Sequence, residues 1–195
     1  LRVDDEVNIP IDEDTAGQLL ASFAASLSNV ALVVLSDYAK GAVPPDVIAR
    51  IMSLTRAAGV PLVADPKLPD FSVYTGADIL TPNLAELRVA SAIAGDGLDD
   101  IAAAASLAAR SHDLGAVLVT LSARGMLIAN ADGTWDHDPA KAREVFDVSG
   151  AGDTVIAMIA AALAGGVVAG DAVRLANIAA GVVVGKAGTA TASPG

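Results

Sequence analysis

The chain has 195 residues, enough for one domain with a real apolar core, and at 53% hydrophobic it is too apolar to be disordered. A net charge of −11 repels a phosphate backbone and argues against nucleic acid as a partner, and the lack of cysteine excludes disulfides and thiolate metal sites. In chain order, an acidic start at Asp12-Glu13-Asp14 opens a helix over 11–28. The run VALVVL over 30–35 reads as a strand buried on both faces. Pro44-Pro45 opens a second helix that Gly59 ends, and 61–64 is a second short buried strand. A strand over 77–80, a helix over 82–92, an Ala-rich helix over 98–111 and a strand over 116–120 continue the alternation. A hairpin pairs 125–129 with 134–137 around Ala131-Asp132-Gly133, and helices over 150–164 and 169–186 complete the pattern.

Successive strand–helix units predict one three-layer α/β/α sandwich over 1–195, with a mostly parallel sheet and right-handed crossovers. The longest nearly apolar run, 155–170, falls short of the roughly 20 residues that span a bilayer and contains Gly165-Gly166, so it reads as a buried helix. The polar first residues do not look like a secretory leader, and a cytoplasmic protein without membrane contact is expected. In open parallel sheets ligands sit beyond the C-terminal strand ends. Four polar clusters follow strands here: Ser36-Asp37, Asp65-Pro66-Lys67, Thr81-Pro82-Asn83 and Thr120-Leu121-Ser122. They should share one edge of the sheet.

The segment Asp147-Val148-Ser149-Gly150-Ala151-Gly152-Asp153-Thr154 carries the most chemistry. Small residues admit a ligand close to the backbone, and the helix that starts there points N–H groups and the positive end of its dipole outward. That combination suits a transferring phosphoryl group, with Asp153 placed to take a proton from an alcohol. The same residues also read as an ordinary helix start with Asp153 as a cap. Asn83 and Glu86 have the spacing of a helix-capping pair, Gly125 that of a tight turn, and Lys186 could complement a helix C-terminus. His112 and His137 are isolated and read as surface residues, not a metal site.

FDVSGAGDTVIA and ANIAAGVVVGKAGTA, together with VVLSDYAKGAV, ADPK, LTPNLAE and LVTLSARGM in that order, resemble the ribokinase (PfkB) carbohydrate kinase family. Within it they are most similar to the bacterial D-glycero-β-D-manno-heptose-7-phosphate kinases, the kinase part of bifunctional ADP-heptose synthesis proteins. The resemblance implies a ribokinase-like fold and transfer of the γ-phosphate of ATP to a sugar hydroxyl, here O1 of the heptose 7-phosphate, toward lipopolysaccharide core. Asp153 would be the base, and the N–H groups of Gly150, Ala151, Gly152 and Asp153 would stabilise the γ-phosphate. Asn83 and Glu86 would position Mg²⁺ largely through water. Thr120, Ser122 and Gly125 would form the nucleotide-binding strand end, with Asn177, Lys186 and Gly188 on the adenine and ribose side. Asp37, Lys40 and Lys67 would face the sugar or its phosphate. Asp147, Ser149 and the loop 188–193 resemble the region that binds a monovalent cation (K⁺) in some relatives.

In that family the lid, the Gly-Gly motif and much of the sugar pocket precede the position of Leu1, with Arg2-Val3-Asp4 resembling the exit from the lid. The nucleotidyl-transferring domain follows the position of Gly195. The isolated chain is therefore expected to turn over sugar poorly, and a homodimer through the lid belongs to the intact protein. Two alternatives stay open at this point: a kinase of the same family for ribose, a fructose phosphate or a nucleoside, and a nucleotide-binding module without catalysis.

Overall fold

The computed structural model describes residues 8–141, 150–186 and 191. One six-stranded sheet runs in chain order: β1 (Val33–Ser36), β2 (Leu62–Asp65), β3 (Ile79–Leu80), β4 (Ala116–Thr120), β5 (Met126–Asn130) and β6 (Trp135–Asp138). The first four strands are parallel, and β5 and β6 return antiparallel as a hairpin. Six helices accompany them: α1 (Glu13–Ser26), α2 (Pro45–Ala58), α3 (Leu84–Ser91), α4 (Leu98–Ser111), α5 (Ala151–Ala164) and α6 (Ala169–Val184).

The period of two along each strand sorts the core into two layers. Leu62, Ala64, Val117, Val119, Leu127 and Ala129 face one side, where they pack with α1, α2, α3 and α4. Val63, Ile79, Ala116, Leu118, Met126 and Ile128 face the other, against α5 and α6. This is the expected three-layer α/β/α sandwich with a mostly parallel sheet.

Local chemistry explains most element ends. The Asp12 carboxylate accepts the Thr15 N–H at 2.7 Å and caps α1. Pro45 begins α2, and Gly59 closes it with φ +66. The first strand departs from expectation. Leu27–Asn29 form a 3₁₀ turn, and pairing starts at Val33, whose N–H donates to the Pro61 carbonyl at 2.8 Å. Because β2 begins at Leu62, residues 30–32 have no ladder partner, so the neighbour's length sets the strand. Helix α6 likewise stops at Val184, short of Lys186. Among the described residues, no helix is long and apolar enough to cross a membrane.

Candidate active site

The four polar clusters do gather at the C-terminal ends of β1–β4. The loop after β1 is built around Asp37, which is 2% exposed. Its Oδ1 accepts the Ala39 N–H at 2.7 Å and its Oδ2 accepts the Tyr74 hydroxyl at 2.6 Å. Asp37 therefore shapes the loop from below, while Tyr38 and Lys40 are exposed on it. After β2, Lys67 Nζ donates to Glu86 Oε1 at 2.7 Å. That hydrogen bond, the largest influence on the ammonium, helps hold its pKa above the usual lysine range, so Lys67 is a fixed cation. After β3, Asn83 and Glu86 form a reciprocal capping box at the start of α3. Asn83 Oδ1 accepts the Glu86 N–H, and Glu86 Oε2 accepts the Asn83 N–H, both at 2.9 Å. The capping and ligand readings of this pair are thus compatible: the cap fixes Glu86, and its other oxygen reaches Lys67.

Helix α5 brings Asp153 to this edge. Its cap residue Gly150 has φ +78. The leading N–H groups of a helix have no intrahelical partner, so this end is a ready anion site. Val155, Ile156, Ile159 and Ala162 are buried against the sheet below it. Each large aliphatic side chain among them contributes roughly 1.5–3 kcal/mol, so core packing holds the tip in place. Asp153 is exposed, and its Oδ1 accepts the Tyr38 hydroxyl at 3.0 Å.

Beside the tip lies a cavity of about 520 Å³ lined by Thr120, Ser122, Gly125, Ala151, Gly152 and Asn177, among others. A Cβ added at Gly152 would meet nothing within 4 Å, so the space in front of it is open. Asn177 supports the wall of the cavity. It is 4% exposed, and its amide donates to Asp138 Oδ2 at 2.7 Å, the Pro139 carbonyl at 2.9 Å and the Asp138 carbonyl at 3.1 Å. Burial works against the Asp138 carboxylate, but hydrogen bonds from Asn177 and Lys141 keep its pKa below the ordinary range. Lys186 Nζ instead donates to the Thr191 carbonyl at 2.9 Å. Asp147, Ser149 and Gly188 lie outside the described residues.

Asp65, in the ADPK stretch, has its pKa raised to about 6, first by burial, then by the Glu86 charge, with Asp153 adding in the same direction. Its ordinary value is 3.8, so the folded state disfavours the ionised form. The contribution of Asp65 to stability is complete below pH about 4 and is lost as pH rises through about 6. Asp65→Asn is therefore expected to raise Tm at pH 7.5, and the gain should vanish near pH 4. Thermal melts at the two pH values check this; an equal shift at both would reject the electrostatic cause.

Three residues of this edge escaped the sequence reading as site residues: Tyr38, Asp65 and Tyr74. Tyr38 at least falls in the loop after β1, and Asp65 is the last residue of β2. Tyr74 is fully buried in a 3₁₀ turn, Phe71–Tyr74, that no periodicity announces. Its hydroxyl accepts the N–H groups of Lys67 and Leu68, each at 3.3 Å, besides donating to Asp37. Burial, followed by the bond to Asp37, raises the pKa of the Tyr74 phenol, which stays protonated.

Comparison with known proteins agrees with this geometry. The chain is 47% identical over 192 residues to the bifunctional protein HldE of Paramagnetospirillum magneticum, covering 98% of this chain and 39% of that protein. It is 49% identical over 194 residues to the bifunctional protein HldE of Halorhodospira halophila, covering 100% and 40%. It thus spans about two fifths of the length of these relatives. The crystal structure of phosphofructokinase-2 from Escherichia coli with potassium superposes with a TM-score of 0.83 at 20% identity, covering 94% of this chain and 60% of that one. Arabidopsis thaliana ribokinase complexed with ribose and ATP gives 0.76 at 23% identity, covering 94% and 56%. At such identities these two structures speak for the fold alone. Residues 3–195 match the pfkB family carbohydrate kinases, and the chain belongs to that family.

Proposed function

We propose that this chain supplies the nucleotide-binding and phosphoryl-transfer part of an ATP-dependent sugar kinase, with O1 of D-glycero-β-D-manno-heptose 7-phosphate as acceptor. The observation that carries the reading is the exposed Asp153 carboxylate in the first turn of α5, beside an open cavity lined by Ala151 and Gly152. The product would feed ADP-heptose and lipopolysaccharide core synthesis in the cytoplasm. The likeness of nearly all of this chain to two fifths of the bifunctional HldE proteins supports that choice of sugar.

In this mechanism the cavity takes the nucleotide, with its terminal phosphate at the tip of α5. Asp153 takes the proton of the sugar hydroxyl as its oxygen bonds to the γ-phosphorus and the bond to ADP breaks. The N–H groups of Gly150, Ala151, Gly152 and Asp153 stabilise the charge on the phosphoryl oxygens. Lys67, anchored by Glu86, adds a cation at the same edge, and Lys40 lies on the neighbouring loop near the sugar's side. Asp37 contributes through the loop it holds.

The donor set also suits a hard divalent ion. Among the described residues, no three carboxylate or imidazole groups form a closed metal cage. What the edge offers is oxygen: the Glu86 carboxylate and the Asn83 amide oxygen lie together at the start of α3. Mg²⁺ keeps several waters and shares its ligands with phosphate, so Glu86 and Asn83 would hold it through water. When bound, it neutralises charge on the nucleotide's terminal phosphates. The K⁺ assignment rests on Asp147 and Ser149, by analogy with the potassium in phosphofructokinase-2.

The test offers labelled ATP and Mg²⁺, with each acceptor separately, to a protein of the relatives' full length that carries this chain. Heptose 7-phosphate should be phosphorylated with a kcat/KM at least about tenfold above ribose, fructose 6-phosphate or a nucleoside. Preference for another acceptor would reassign the substrate. Tight ADP binding with no transfer to any of them would make the chain a nucleotide-binding module.

A further inference from the structure

We propose that Tyr38 is a positioning residue for the Asp153 carboxylate, set in place by the buried Asp37–Tyr74 pair. The inference rests on the reading of Asp153 as the base. The Tyr38 hydroxyl and Asp153 Oδ1 are 3.0 Å apart, although 115 residues separate them in the chain. A carboxylate with one oxygen occupied by a phenol keeps lone pairs on the other for the sugar hydroxyl. The bond also fixes the carboxylate's rotation, so an exposed side chain is ordered before the acceptor arrives.

Tyr38 is 55% exposed and is not held by packing of its own. What fixes it is the turn beneath. Asp37 bonds the Ala39 N–H, closing a tight loop around Tyr38, in which Ala39 takes φ +52. The other oxygen of Asp37 is tied to Tyr74, whose hydroxyl also bonds two N–H groups of the loop carrying Lys67. One fully buried phenol therefore joins the loop that aims the base to the loop that places the cation. Such a network is a reason to bury a carboxylate and a tyrosine hydroxyl together, since each satisfies the other.

Two groups on neighbouring elements meet Asp153: the Tyr38 hydroxyl on the β1 loop bonds to it, and Asp65 at the end of β2 feels its charge. Among them Tyr38 is the one whose hydrogen bond to Asp153 is seen. Removing that donor leaves the carboxylate free to rotate out of line with the acceptor. The test compares Tyr38→Phe with wild type in a protein of full length. We expect kcat to fall about tenfold while KM for ATP and KM for the sugar stay unchanged. A wild-type kcat would overturn the proposal. So would a rise in the sugar's KM alone, which would make Tyr38 a substrate ligand. Asp153→Asn run in parallel separates the two levels: if it retains transfer, the base assignment itself fails; if it abolishes transfer while Tyr38→Phe behaves as wild type, only the role of Tyr38 fails.

Discussion

Asp153→Asn, introduced into a protein of full length, is expected to lower kcat by about 10²–10⁴-fold while nucleotide affinity stays within about twofold of wild type. The amide has nearly the size of the carboxylate, so the helix tip and its N–H groups keep their shape. What it lacks is a lone pair basic enough to accept the hydroxyl proton as the new P–O bond forms. Binding is expected to survive because Ala151, Gly152, Thr120 and Gly125 line the cavity. Asparagine also removes a negative charge beside the phosphate, so affinity for ATP should rise if it changes at all. Single-turnover transfer and calorimetric ADP binding, measured on the same preparation, separate the two effects. A variant with near-normal kcat would remove Asp153 from the chemistry.

Gly125→Ala should give the largest loss of stability. Gly125 is buried between the 3₁₀ turn Ser122–Arg124 and β5, with φ +92 and ψ −135, a conformation open essentially to glycine alone. Its own N–H and carbonyl are both committed, to the Ser122 carbonyl at 3.0 Å and the Leu121 N–H at 2.8 Å, so the backbone cannot relax without losing the turn. An added Cβ would collide with the Asp138 carbonyl and lie 2.6 Å from the Ala140 nitrogen. Strain and overpacking together should cost about 3–5 kcal/mol, which for a chain of this size lowers Tm by roughly 10 °C. Because Ala140 lines the cavity, nucleotide affinity should fall with it. A thermal melt within 2 °C or so of wild type would show that the hairpin end yields more easily than its hydrogen bonds imply.

Gly125 also shows how far the sequence could be read. A glycine after a strand announces a turn, and a turn it is. That the glycine is obligatory follows only from the returning end of β6, which the one-dimensional pattern does not bring near. The strands of 62–65 and 116–120 were legible because runs of Val, Leu and Ala of that length suit burial on both faces. The hairpin was legible from Ala131-Asp132-Gly133, whose Gly133 has φ +92. The early start expected for the first strand failed because pairing is a property of two segments, and the second begins late. Asp37 was grouped with Lys40 and Lys67 as a polar residue after a strand. Its burial depends on Tyr74, which sits 37 positions away in an irregular turn. The place of Asp153 in the first turn of α5 was legible from the glycine-rich helix start, whereas its meeting with Tyr38 is tertiary and left no local trace.

The separation of the core into two layers has a mechanical consequence. Helix α5 is seated on the layer of Val63, Ile79 and Leu118, whereas Tyr74 belongs to the opposite layer, with Leu62, Ala64 and Val117. The proposed base and the loop that carries Tyr38 thus answer to opposite sides of one sheet, and the alignment of 38 with 153 becomes a gauge of how those sides are stacked. A repacking far below the cleft, at Ile159 for instance, could detune the reaction through tilt alone, with every polar group still present.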